Sequence, residues 1–260
     1  MKIIKKSNSK NTKMNSEWTE SAEKNHFWMQ WRFYFLVKIL QKIKININKK
    51  LKIMDLGCGN GILSNQIEER FNVNVDRVDS SIDMLKKNEK VRGKLICYNI
   101  GQKISKFKNK YDLIFLFDVI EHVKNDKKFF YDIIYHLKPG GILIINVPSL
   151  QIFYSKYDKA VGHLRRYCKK DFDKLIDNKI AQIISVDYWG FFLIPMLFLR
   201  KIFLFFFHTN QNNKIVKQGW KASKLLNYFM KKIMKIEINF FNKQIVGTSL
   251  MIFIKKNELF

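Results

Sequence analysis

At 260 residues with 47% hydrophobic side chains, the chain can bury a large core, which excludes an intrinsically disordered polypeptide. Lys and Arg number 48 against 22 Asp and Glu, a formal charge of +26 that favours nucleic acid or an anionic lipid surface, although Lys, Asn, Ile and Phe are abundant throughout and a biased composition yields the same excess. Three widely spaced cysteines, Cys58, Cys97 and Cys168, exclude a disulfide framework and a cysteine zinc site and suit a reducing cytosolic compartment.

The first stretch, MKIIKKSNSKNTKMNSEW, lacks an apolar run of seven and is no secretory signal, so residues 1–20 read as a disordered basic tail. From about residue 21 to 43, Phe27, Trp28, Trp31, Phe35, Leu36, Ile39, Leu40 and Ile43 recur at helical spacing and predict a helical cap over 21–50. Short apolar runs then alternate with helical patterns: strands at 52–56, 73–78, 95–98, 113–117 and 142–147, helices from 62, from 81 and over 126–137. Pro139, Gly140 and Gly141 punctuate the chain just before the last of these strands. That rhythm predicts an α/β fold with a parallel, doubly wound sheet. Two more strands, 180–188 and 246–255, complete it, so 51–189 and 244–260 form one domain interrupted by an insertion over 190–243.

The stretch KIMDLGCGNGILS, residues 52 to 64, ends a strand in Asp55 and places Gly57, Gly59 and Gly61 on alternate positions before a helix. Such glycines permit positive-φ turns and let a ligand approach the backbone, with a helix N-terminus behind it. The third glycine comes one residue early for a dinucleotide fingerprint. The segment resembles motif I of class I S-adenosylmethionine-dependent methyltransferases, which implies their Rossmann-like, seven-stranded sheet, with S-adenosylmethionine as cofactor and the strand-end acid and glycine loop, Asp55, Gly57, Cys58, Gly59 and Gly61, around its methionine part. VDRVDSSIDML then supplies Asp79, a carboxylate able to accept from both ribose hydroxyls, with Ser80 and Met84 nearby. In CYNIGQ, Asn99 stands where the family usually has an acid touching the adenine amine, and an amide oxygen can still accept there. YDLIFLFDVIEHV and LKPGGILIINVPS are similar to the later motifs, so the resemblance covers residues 52 to 149.

Few catalytic groups are required for methyl transfer: the nucleophile must be aligned and, for a hydroxyl, deprotonated. The D-x-x-E-H spacing of Asp118, Glu121 and His122 is similar to the E-x-x-E-H stretch of ubiquinone-type O-methyltransferases, where acids and a histidine are associated with a divalent metal. Such a set can hold a metal or supply a base; the reading carried forward is a capped helix start without metal, with Asp118 on the methyl side of the cofactor and His122 a secondary base. A second constellation, YDKAVGHLRRYCKKDFDKLI, precedes a helix from about residue 170 and brings together His163, Arg165, Arg166 and Tyr167: a base, two cations and a phenol for an anionic or hydroxylated acceptor. Its alternative role is a loop pinned by salt bridges to Asp158 or Asp171. The G-H-x-R-R-Y string is similar to one in a bacterial subgroup of these methyltransferases, often with an N-terminal segment resembling HFWMQWR, which adds Trp28 and Arg32 as acceptor-binding candidates. His26, His136 and His208 read as surface or packing residues.

In the insertion, GFFLIPMLFLRKIFLFFFH is apolar but split by Arg200 and Lys201, and transfer energies put a spanning helix near break-even. Strands flanking the insertion that pair with each other exclude a single crossing, and WKASKLLNYFMKKIMKIEINFF, with five lysines and a glutamate, cannot serve as a second. Its Ala222, Leu225, Leu226, Phe229, Ile233 and Ile236 at helical spacing predict a basic amphipathic helix suited to an anionic membrane surface. The insertion thus reads as a roof over the acceptor site that touches lipid, with Pro195 breaking the greasy part and Arg200, Lys201 and the lysines at headgroups; the soluble alternative is a lid on the core or on a partner chain. These readings predict an O-methyltransferase acting on a lipid-like, quinone-like or lipid-linked glycan small molecule, cytoplasmic and peripheral at the inner face of the membrane. The alternatives are N- or C-methylation of a soluble metabolite, RNA methylation and, last, a non-enzymatic lipid-binding subunit. Nucleic acid is not the expected partner, because no RNA-binding module or N-P-P-Y-like loop is present.

Overall fold

The computed structural model describes residues 2–6, 25–206 and 223–258. The expectations for the rest of the tail, His208, Lys221 and Ala222 lie outside the described residues.

Eight strands form one sheet: β1 (Ile3–Lys5), β2 (Ile53–Leu56), β3 (Val75–Asp79), β4 (Leu95–Cys97), β5 (Tyr111–Phe117), β6 (Leu137–Pro148), β7 (Ala181–Trp189) and β8 (Ser249–Lys256), in the order β1-β4-β3-β2-β5-β6-β8-β7. All neighbours are parallel except β8, which runs antiparallel to both β6 and β7. Seven strands match the expected sheet; the eighth corrects it, because Ile3–Lys5, placed in a disordered tail by its charge, pairs with Leu95, Ile96 and Cys97 at the edge. The Pro-Gly-Gly turn also lies inside β6 rather than before it, accommodated by a register shift opposite Tyr111 and Leu113.

The interior strands are apolar on both faces because helices cover both. Met54, Leu56, Ile114, Leu116, Leu143, Ile145, Ile252 and Ile254 face one layer, with Phe130, Ile133, Phe172 and Leu175 from α4 (Asp126–Ile134) and α6 (Lys169–Leu175); α5 (Lys156–Val161) lies between these helices in the chain. Ile53, Val75, Leu113, Phe115, Ile144, Met251 and Phe253 alternate to the other face. There they meet Trp31, Leu36, Ile39 and Leu40 of α1 (Phe27–Lys42) and Leu63 and Ile67 of α2 (Ile62–Phe71); the short α3 (Ile82–Lys86) follows β3. His26 caps α1, its ring accepting from Trp28 N, so the helix starts later than the periodicity alone predicts.

The insertion forms α7 (Ile194–Phe206) and α8 (Lys224–Phe240). Pro195 does not break α7: it occupies the first turn, where a missing N–H costs nothing. No helix among the described residues is long and apolar enough to cross a membrane. In α8 the residues Leu225, Leu226, Phe229 and Ile236 of the expected stripe are exposed, while Met230, Met234 and Glu237 are buried. Asn227 accepts from Phe27 N at 2.7 Å and Lys38 Nζ donates to Phe241 O at 2.6 Å, fastening α8 along α1. Glu237 takes Gly190 N at 2.6 Å and Phe192 N at 3.1 Å, capping the turn that leads into α7.

Candidate functional site

The loops after β2, β3 and β5 meet at the carboxyl ends of the parallel strands, where ligands bind in open α/β sheets. Gly57 has φ +73° and sits so close to Val119 that a Cβ would come within 2.4 Å of its Cγ2, so the loops after β2 and β5 are packed tightly together. Asp79, at the end of β3, accepts from Gly59 N at 3.1 Å and Ser81 N at 2.8 Å, tying the glycine loop to the start of α3. Burial raises its pKa, opposed by those N–H donors. Asp55 is buried and accepts from Ser64 Oγ at 2.6 Å; burial pushes its pKa up to about 6, against the pull of Ser64, Arg32 and Arg77. Asn88 Nδ2 donates to Gly59 O at 2.8 Å, bracing the loop from α3's far end. Ser80 and Met84 lie close to Asp79, Cys58 is buried within the loop, and the Asn99 amide oxygen accepts from Gly101 N at 3.2 Å. Acceptor oxygens at a strand end beside a positive-φ glycine loop fit the ribose and methionine parts of S-adenosylmethionine.

Asp118, in the left-handed region at φ +57°, turns the chain away from β5. Arg32 Nη1 meets its Oδ2 at 2.5 Å and Asn146 Nδ2 its Oδ1 at 2.8 Å, while Trp189 Nε1 donates to Asn146 Oδ1 at 2.9 Å. Trp28 stacks on Trp189 with centroids 4.6 Å apart. Arg32 and Trp28, expected at the acceptor, therefore fasten α1 across the strand ends. Asn146 and Trp189 were not anticipated; the signal for Asn146 was a lone amide inside the buried run IINVP.

The remaining candidates gather around Glu121. Its carboxylate is wholly buried, neither oxygen has a hydrogen-bond partner among the described residues, and burial followed by the Asp118 charge pushes its pKa well above the ordinary carboxylate range. His163 Nε2 lies 3.9 Å from Glu121 Oε1, and His122 packs edge-on to His163 with centroids 4.9 Å apart. Burial, then the neighbouring His163, lowers the His122 pKa to about 4, and its Nδ1 bonds Gly162 O at 3.0 Å. Asp158 accepts from His163 Nδ1 at 3.0 Å, from Arg166 Nε at 2.9 Å and Nη2 at 3.1 Å, and from Ser155 N at 2.9 Å. Burial works against its charge, but His163 and Arg166 outweigh it and hold the Asp158 pKa low. An ionised Asp158 can only accept, so His163 donates from Nδ1 and turns Nε2 toward Glu121.

Arg166, expected to bind the acceptor, is buried and engaged by Asp158 and Ser149 O. Arg165 Nη1 and Tyr167 Oη both bond Asp126 Oδ2, at 2.6 and 3.0 Å. The Arg-Arg-Tyr string therefore pins the loop, with Asp126 and Asp158 as partners rather than Asp171, which caps α6 through Cys168 N. The metal set is redrawn as well: ligand atoms of Glu121, His122 and His163 lie within 4.8 Å of one another, whereas Asp118 is engaged by Arg32 and Asn146. A buried carboxylate with two imidazoles close by fits a divalent cation in its donor chemistry.

A family model described as a methyltransferase domain matches residues 28–191. Over 114 residues the chain is 35% identical to a ubiquinone biosynthesis O-methyltransferase of Rickettsia canadensis (strain McKiel), a match covering 42% of this chain and 48% of that protein. The chain thus spans about half the length of the curated relatives it matches. Among solved structures it is similar to an S-adenosylmethionine-dependent methyltransferase from Clostridium acetobutylicum ATCC 824, with TM-score 0.52 and 15% identity over 88% of this chain and 92% of that one. It is also similar to Haemonchus contortus phosphoethanolamine N-methyltransferase 2 in complex with S-adenosyl-L-methionine, with TM-score 0.51 and 17% identity over 86% of this chain and 52% of that one. At such identities the structural likeness speaks to the fold.

Proposed function

The chain belongs to the methyltransferase domain family, with the sheet of its class I S-adenosylmethionine-dependent members, and from that premise we propose that it moves a methyl group to a hydroxyl of a lipid-soluble small molecule at a membrane surface. The observation that carries the hydroxyl is the Asp158–His163 pair, an oriented imidazole with its free nitrogen facing the loop after β5. When bound, S-adenosylmethionine supplies a methyl on a good leaving group. Asp79 would hold the ribose, Asp55 and the glycine loop the methionine part, and Asn99 the adenine amine. As the acceptor oxygen takes the methyl, its proton passes to His163 Nε2, and Asp158 stabilises the imidazolium.

The lipid-soluble acceptor is supported by α7. Met196, Phe198, Leu199, Ile202, Phe203 and Phe206 are exposed together, Leu199 at 65% and Phe206 at 72% of full accessibility, on a helix leaving β7 at the cofactor end of the sheet. A contiguous apolar face on a strongly basic chain suits a bilayer surface. The test is methyl-labelled S-adenosylmethionine with purified protein and an extract of the source cells. Label in the organic phase supports the reading; label confined to acid-precipitated or aqueous material contradicts it.

The orphaned Glu121 carboxylate favours a second reading, in which Glu121, His122 and His163 hold a divalent cation. A cation there would lower the acceptor hydroxyl's pKa. Exhaustive chelation separates the two: unchanged turnover supports His163 as the free base, and loss restored by added metal supports the cation.

A further inference from the structure

The two cations of α7, Arg200 and Lys201, turn toward the protein rather than toward headgroups, which corrects the expectation for both. Lys201 Nζ donates to Ile152 O, and the Arg200 guanidinium lies over the Tyr157 ring, 4.0 Å from its centroid. Stacking occupies the face of a guanidinium and leaves its N–H fork free in the ring plane, the geometry that receives a bidentate oxyanion. Among the described residues, the Arg200 guanidinium donates no hydrogen bond and meets no carboxylate.

The nearest acid cannot serve it. Asp158 lies close enough to act on Arg200 electrostatically, but its oxygens already receive Arg166, His163 and Ser155. Arg166 is a like charge beside it, and burial together with Arg166 lowers the Arg200 pKa. Two guanidiniums thus share one carboxylate in a half-buried place next to the Asp158–His163 pair, and the second is uncompensated.

We propose that Arg200, stacked on Tyr157, receives the phosphate ester of an acidic lipid whose apolar remainder lies along the outer face of α7. The proposal rests on the reading that the acceptor is lipid-soluble, and it assigns that acceptor an anionic head. A cation on the inner face of a helix whose outer face is apolar matches a molecule with one acidic end and one greasy end. It also sets that acidic end beside His163 through Tyr157 and Asp158, which are consecutive in α5.

The test is calorimetric titration of the full chain with inorganic phosphate, with monomeric dihexanoyl phosphatidic acid and with dihexanoylglycerol, which lacks the phosphate. Wild type should bind the phosphatidic acid best, inorganic phosphate more weakly and dihexanoylglycerol weakest. Arg200→Gln should weaken phosphatidic acid binding about tenfold or more, and Arg200→Lys less, since it keeps the charge. Equal affinity in wild type and Arg200→Gln, or no binding to wild type, overturns the proposal. Inorganic phosphate binding as tightly as phosphatidic acid overturns the lipid head and points to a soluble anion. Co-sedimentation with phosphatidylcholine vesicles separates this from the parent reading: wild type and Arg200→Gln should bind vesicles alike. If neither does while Arg200 still governs phosphate binding, the membrane reading fails and the anion site stands.

Discussion

His163 Nδ1 stands 3.0 Å from Asp158 Oδ1, and the same oxygen accepts from Arg166 Nε at 2.9 Å. Arg166 keeps Asp158 ionised, Asp158 fixes the proton of His163, and the free nitrogen follows. Replacing His163 with Ala should lower turnover by roughly 10² to 10⁴ with cofactor affinity intact. Replacing Asp158 with Ala should do that and also destabilise the fold by about 3 kcal/mol or more, because buried Arg166 loses its counter-charge. Steady-state kinetics with urea unfolding check both; full activity in His163→Ala would reduce it to a packing residue.

Asp79 both anchors the glycine loop and is assigned to the ribose. Asp79→Asn keeps an oxygen for one of Gly59 N or Ser81 N, so the protein should stay folded while S-adenosylmethionine binding weakens at least about tenfold. Calorimetric titration reads the affinity, and an unchanged constant would remove the ribose assignment.

Asp55 gives a pH dependence with a definite sign. Its folded pKa, about 6, exceeds the ordinary 3.8, so between those values the folded state holds the extra proton and stability rises as pH falls. The penalty for an ionised Asp55 is on the order of 3 kcal/mol above pH 6. Asp55→Asn, which still accepts from Ser64, should therefore be more stable than wild type at pH 8 and lose the advantage by pH 4. Melting curves across that range test this; a constant difference between the two proteins would contradict it.

The outer face of α7 should matter for surfaces and not for folding. Met196→Gln with Phe198→Gln and Leu199→Gln should leave the melting temperature nearly unchanged, because exposed side chains contribute within about 0.5 kcal/mol each, while vesicle co-sedimentation falls sharply. Undiminished vesicle binding would move the contact elsewhere.

The sheet was legible because interior parallel strands are unbroken apolar runs and the glycine loop, Asp79 and Asp118 fall at their ends. Ile3–Lys5 was not, since three residues carry no period and their neighbours are basic. Nor was the orientation of the insertion helices. Both sides of α8 carry apolar residues, so the periodicity of Leu225, Leu226, Phe229 and Ile236, which stay exposed, did not show that Met230 and Met234 are buried and that Glu237 caps Gly190 and Phe192. In α7 a cation pair in a greasy helix reads as headgroup-facing; the ring of Tyr157 and the carbonyl of Ile152, over forty residues earlier, turn it inward. Arg32 and Asp118 are 86 positions apart, and only the fold shows that the first closes over the second. The His163 site was legible in its residues and not in its division of labour, because whether an arginine pins a loop or meets a ligand depends on which acid the fold brings to it.

The measurement that bears most directly on the account is the carbon-13 spectrum of the product made from methyl-labelled S-adenosylmethionine and source-cell membranes. A single resonance of an oxygen-bound methyl in the organic extract, lost with His163→Ala, is the predicted result. A methyl on nitrogen or carbon, or an oxygen-bound methyl that persists in His163→Ala, would contradict it.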